Sequence, residues 1–394
     1  MASVNSFETD MKKLRRKRKR KRAAKNTMVI FAVLALVLVI YLTNGYWLPY
    51  FEGILDRGIS SIENGEIEES ENYPIDISKR INVDIHTMND CWTLYSDTSL
   101  QTRGFDGSVI NTYYMPYSSP IVEAASKRTL VYDMGGYSFS VVGKKSEVFS
   151  KKLTNQILFC ELGESGNVAV VTSTDKYPSY LTIYDKNGTE IYRWADGNLI
   201  TSVTLDSSGS GCVVASAYAL GGSIKTIVTA LDFSKTDIVS KSAPLEAMVL
   251  DLEYTKKGGI WVVGDTAVYR LDSSCALDYT FSFNYDLDMF AAEDDIAVLT
   301  FDKAGTKDTI LVVLDASNST SSEKTYSEDI KHIDISDGIV YYNTKSSLCT
   351  MDKSGNSLGD FDLSAEYVSF AVGSDSILMQ GYYSIDKLSF GDKD

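Results

Sequence analysis

The stretch "LTIYDKNGTEIYRW", residues 181–194, admits two readings. Asp185, Asn187 and Glu190 offer oxygen ligands around Gly188, as the start of a calcium loop would. The same residues suit a hairpin, because Asp bonds its own backbone two residues on and Gly or Asn accepts positive φ. Related stretches decide between them: "IVTALDFSKTDIV" (227–239), "VYRLDSSCALDY" (268–279), "LVVLDASNSTSS" (311–322), "LCTMDKSGNSLG" (348–359) and, more loosely, "LQTRGFDGSVI" (100–110). In each, an alternating apolar strand ends in Asp and small residues before a second strand begins. Every position after Asp varies, whereas calcium needs about six to eight oxygens at fixed spacing. The motif is read as a hairpin turn, and no metal is expected.

Upstream of these hairpins lies a second pattern of strand, short turn and strand, as in "ILFCELGESGNVAVVTS" (157–173) and "HIDISDGIVYYNT" (332–344). Together they make four-strand units starting near Ile81, Ile121, Ile157, Ile200, Val249, Asp288, Lys331 and Tyr367, spaced 36 to 49 residues apart. The runs are short and rich in β-branched and aromatic residues, and no long stretch keeps a helical period. That period with four strands per unit predicts an all-β protein, a β-propeller of about eight blades. A seven-bladed ring is the alternative if a weak unit is irregular, and 121–152 lacks the Asp turn. The last unit supplies three strands, and "PIDISKR" (74–80) is expected to add the fourth and close the ring.

The 394-residue chain carries 38 basic and 53 acidic residues, unevenly placed. Eleven of the basic residues lie in "KKLRRKRKRKRAAK" (12–25) and only two acids in 1–27, leaving 27 basic against 51 acidic residues beyond. The remainder, at about −24, argues against a nucleic-acid partner. An uncharged run, 28–51, follows the basic arm and is long enough for one membrane span of roughly 20 residues. Tyr46, Trp47, Tyr50 and Phe51 would form an interfacial belt. A cleaved signal peptide is the rival, but the basic region is long and no good cleavage site follows. The positive-inside bias places 1–27 in the cytoplasm, where it can also meet anionic lipid, and the rest outside. Residues 52–74 read as an acidic stalk and 75–394 as the extracytoplasmic propeller.

The copy ending in Trp194 resembles the repeat of quinoprotein-type propellers, where an Asp–Gly turn joins the last two strands and a Trp docks between blades. That resemblance spans about residues 75–390 and implies architecture, not the quinone cofactor. The layout of basic arm, single span and propeller is similar to uncharacterised membrane-anchored propeller proteins of Gram-positive clostridia. It also resembles propeller scaffolds of bacterial outer-membrane assembly, which are lipid-anchored instead. Neither likeness brings a catalytic motif to this chain.

Little in the sequence resembles chemistry. The five cysteines, Cys91, Cys160, Cys212, Cys275 and Cys349, show no paired spacing and read as small buried residues. No nucleophile elbow, phosphate loop or dinucleotide motif occurs, and no cofactor is expected. First strands of a propeller line its channel, which makes Asp84, His86, Asp251, His332 and Asp334 candidate channel residues; Asp286, Asp288, Asp294 and Asp295 join Asp84, Asp251 and Asp334 as candidates for paired-acid chemistry. Tyr113, Tyr114, Tyr117, Tyr382 and Tyr383 are candidate aromatic contacts for a glycan or protein partner. The expected function is a non-catalytic binding scaffold in the cell envelope, with a protein or cell-wall polymer as partner. The alternative is an envelope glycan hydrolase or lyase using channel carboxylates. A sensor is a third reading, for which 27 cytoplasmic residues leave little room.

Overall fold

The computed structural model describes Ile62 and residues 65–389, apart from 256, 257 and 304. The expected arm (1–27), span (28–51) and the first part of the expected stalk lie outside the described residues. Among the described residues no helix is long and apolar enough to cross a membrane.

Eight antiparallel sheets follow one another along the chain. Their first strands are Asp84–Met88, Pro120–Ala125, Ile157–Leu162, Leu199–Leu205, Val249–Tyr254, Asp286–Glu293, His332–Ser336 and Tyr367–Val372, close to the unit starts expected from the period. In seven of the sheets the strands pair in chain order, so each of those blades is a meander, and with the eighth sheet the ring is an eight-bladed propeller. The seven-bladed alternative falls, because the irregular unit is an ordinary blade. Its last hairpin turns on Lys144 and Lys145, closed by Gly143 N–H donating to Ser146 O at 2.9 Å.

Two-sided burial explains why these sheets exist only as a ring. In blade 3, every residue of Val168–Thr172 is buried. Val168 and Val170 join a core with blade 2, while Ala169 and Val171 join a core with blade 4. Each buried aliphatic side chain contributes roughly 1.5–3 kcal/mol, which an isolated blade would forgo on both faces. Eight such cores fill the eight blade interfaces. Trp194 packs against the core between blades 3 and 4. Among the described residues all five cysteines are free, and four are fully buried.

The Asp turns are built as the sequence predicts. Asp185 Oδ1 accepts the N–H groups of Asn187 at 2.9 Å and Thr189 at 2.8 Å. Asp272 and Asp352 repeat this arrangement with Ser274 and Ala276, and with Ser354 and Asn356. Gly188 holds φ +82°, and a Cβ there would stand 2.7 Å from Phe149 of blade 2.

Closure also follows the sequence. Blade 8 has three strands of its own, Tyr367–Val372, Ser376–Gly381 and Ser384–Ser389, and Ile75–Asp76 pairs with the last. Glu66–Ile67, within the stretch read as a stalk, pairs further along the same strand. Ile62 is buried between blades 7 and 8. The ring therefore takes up chain about ten residues before the expected boundary at 75, because Ile62 and Ile67 are apolar enough to cover its last edge.

Candidate functional site

The meander gives the ring two different faces. One carries the connections between blades and the turns between second and third strands; the other carries the remaining hairpin turns. Among the described residues, twelve of the eighteen exposed large hydrophobic side chains lie on the first of these faces. Two sit on an unusual feature. Gly211–Leu220 and Ser223–Asp232 are ten-residue strands, longer than those of the other blades, and project as an arm from blade 4. At the tip Leu220 is 56% and Ile224 48% exposed. Thr226 braces the arm's base by exchanging backbone hydrogen bonds with Leu245, and Lys225 pairs with Glu246.

The tyrosine candidates divide. Tyr114 (76% exposed), Tyr382 (59%) and Tyr383 (74%) stand out on this face. Tyr113 and Tyr117 instead turn inward, and their hydroxyls meet Ser140 Oγ at 2.9 and 2.7 Å. They reinforce the interface between blades 1 and 2, where the apolar core is small. Strand alternation sends neighbouring Tyr113 and Tyr114 to opposite sides.

Asp84, His86, Asp251, His332 and Asp334 all lie on first strands, whereas Asp294 and Asp295 lie in the turn that follows one. Asp84, Asp251 and Asp334 share one local device: each Oδ1 accepts the N–H of the next residue, Ile85, Leu252 or Ile335, at 2.8 Å. Their electrostatic surroundings differ. Burial opposes ionisation of Asp84, but His86, the Ile85 N–H and His332 together hold its pKa below the usual carboxylate value. His86 Nε2 stands 3.4 Å from Asp84 Oδ2, with no well-formed hydrogen bond. His332 lies edge-on to Phe370, centroids 4.9 Å apart. Burial pushes its pKa down, with Asp84 opposing. Asp334 is pushed up to about 6 by burial and by Glu293, against the Ile335 and Val372 N–H groups.

Three channel acids escape the sequence reading: Glu123, Glu161 and Glu253. Burial raises the pKa of Glu123 most, Asp251 adds to it, and the Leu162 N–H opposes it at 3.1 Å. Burial, then Glu123, Asp251 and Glu253, raise that of Glu161 well above normal. Glu253 rises to about 8 through burial, Asp251 and Glu164. Burial also raises Asp251, with the Leu252 N–H and Ser202 opposing. The acids in "PIVEAA" and "ILFCEL" occupy first strands as the acid in "HIDIS" does, which is the signal that could have found them. Asp286 and Asp288 share the first strand of blade 6. Asp295 is a structural ion-pair partner of buried Arg270, at 3.1 Å. The carbonyl of Asp294 accepts the Trp261 indole N–H at 2.9 Å. Among the described residues, no group of three or more His, Cys, Asp or Glu is arranged to hold a metal.

Fold and site together define an eight-bladed propeller whose first strands carry several acids and whose exposed large hydrophobic side chains lie mostly on one face. Residues 65–388 match the model of a family described as "Family of unknown function (DUF5711)", and the chain belongs to that family. No curated protein matches it. Solved structures with the same fold include BamB from Moraxella catarrhalis, at 10% identity and TM-score 0.54, covering 83% of this chain and all of that one. Saccharomyces cerevisiae Sqt1 is similar at 9% identity and TM-score 0.57, covering 85% of this chain and all of that one. The quinohemoprotein alcohol dehydrogenase ADHIIG from Pseudomonas putida HK5 is similar at 9% identity and TM-score 0.57, over 85% of this chain and 77% of that one.

Proposed function

We propose that this protein is a binding scaffold of the cell envelope, held by one membrane span at 28–51, as in the membrane-anchored propellers of Gram-positive clostridia that it resembles. The carrying observation is the concentration of exposed apolar side chains on one face, with the blade 4 arm projecting from it. Residue 66 pairs with Ser389 at the opposite face. A tether joining the ring there leaves the apolar face free to meet a protein partner. Leu220 and Ile224, exposed together at the tip of the projecting arm, suit an interaction surface, and the shared architecture with BamB supports a binding role.

The test is photocrosslinking in intact cells from position 220 or 224. Both positions should capture the same envelope protein, and L220D/I224D should abolish capture. Absence of a shared partner, with turnover of cell-wall polymer by the purified protein, overturns the scaffold. That outcome would favour a glycan hydrolase or lyase. The observation behind that second reading is the group of raised-pKa channel carboxylates, which can donate protons near neutral pH.

A further inference from the structure

The hairpin of blade 3 has a second side. Leu181 and Ile183 are sealed in the core against blade 4. Tyr180, Thr182 and Tyr184 alternate with them and face blade 2, where a cavity of about 390 Å³ opens between the blades. These three residues share one strand face at roughly 7 Å intervals, so they form a ladder up the groove. Tyr177 adds a third ring at the loop end. Tyr184 is anchored at the bottom against Phe139, with centroids 5.5 Å apart.

The chemistry of the lining is selective. Of its twelve residues, four are threonines, three are tyrosines and Leu153 is the single aliphatic side chain. A lipid or an apolar peptide anchor would need an aliphatic wall. Sugar rings fit better: their C–H faces stack on tyrosine, and their hydroxyls exchange hydrogen bonds with Thr and Asn. Charge narrows the class. Lys176 and Arg193 line the cavity with one acid, Glu190, and Lys151 stands 5.7 Å from the Tyr184 ring. Arg193 is held by Glu190, with Nη2 donating to Oε2 at 2.7 Å. This local positive balance stands in a chain whose residues beyond 27 carry about −24.

We propose that the groove between blades 2 and 3 binds a saccharide bearing a carboxylate or a phosphate. The reading uses none of the apolar-face residues and is tested apart from them. The full chain is titrated with trigalacturonate, glucose 6-phosphate and neutral maltotriose, followed by saturation-transfer NMR. At least one acidic sugar should bind with Kd of about 1 mM or tighter, and which one binds assigns the anion. Y180A should weaken it roughly tenfold, a loss of one stacking face. R193Q and K176A, at exposed positions, should remove the preference over maltotriose while leaving the thermal midpoint unchanged. No acidic sugar binding below about 10 mM overturns the proposal. So does equal affinity for maltotriose, or binding indifferent to Y180A, R193Q and K176A.

Discussion

Two walls of the same channel treat carboxylates in opposite ways. On blades 2, 3 and 5, Glu123, Glu161, Asp251 and Glu253 influence one another, and the charges acting on them are all carboxylates. Their pKa values rise. On blade 1, Asp84 has His86 at 3.4 Å and the field of His332, and its pKa falls. The strand position and much of the backbone geometry are shared. What differs is the side chain that the ring brings alongside, so the protonation state of a channel acid is a property of the closed ring.

The most damaging test of the comparison opens the ring. Ile75 is 7% exposed, in the core between blades 8 and 1 beside Trp92 and Ile385. Ile75→Asp places an unpaired charge there and should cost about 4 kcal/mol or more. Denaturant unfolding would measure the loss, and any residual structure should lose the pH dependence described next. Ile81→Asp, at a position 63% exposed, should shift stability by no more than about 0.5 kcal/mol. Equal effects from the two substitutions would contradict closure by the 75–76 strand.

A smaller effect separates the walls by sign. The folded protein holds protons on Glu161 and Glu253 more tightly than the unfolded chain, whose ordinary value is 4.5. Their contribution to stability is therefore complete below about pH 4.5 and is lost as pH rises toward 8, where Glu253 titrates. E161Q/E253Q should leave stability at pH 4 nearly unchanged and raise it at pH 8.5. Glu253 is solvent-exposed, and solvent screening moderates the gain to on the order of 1–2 kcal/mol for the pair. Thermal melts across pH 4–9 check this, and a loss of stability at pH 8.5 would contradict the acid-only wall.

Much of the ring was legible because it rests on local repetition. The repeat places unit starts at Ile157, Val249 and Tyr367, and each begins a first strand. The Asp185 turn and the role of residues 74–80 could be read from the same signals, since turn chemistry and a missing fourth strand are local facts. The acid wall was not legible, because its members lie on strands far apart in sequence. A lone Glu in "ILFCEL" looks like any strand residue until blade 5 brings Asp251 and Glu253 near it. The blade 2–blade 3 groove escaped for a related reason. "YLTIYD" displays its hydrophobic period, but not whether the neighbouring blade covers its other face. The tyrosines in "NTYYMPY" look alike in sequence, yet strand parity divides them, half-burying Tyr113 and exposing Tyr114.

The smallest effect sharpens the comparison at the opposite wall. With its pKa held below the ordinary 3.8, Asp84 contributes stability that is present above that value and lost as pH falls through the folded one. Its side chain is 53% exposed, so channel water screens the pairing with His86. D84N keeps an acceptor for the Ile85 N–H but removes the charge. It should cost less than about 1 kcal/mol at pH 6, and the cost should decline as pH falls below 3.8. The same carboxylate-to-amide change would thus destabilise one wall while stabilising the other. If D84N and E161Q/E253Q shift the thermal midpoint in the same direction at pH 6 and at pH 8.5, the walls are electrostatically alike, and the histidines on blades 1 and 7 do not set the difference.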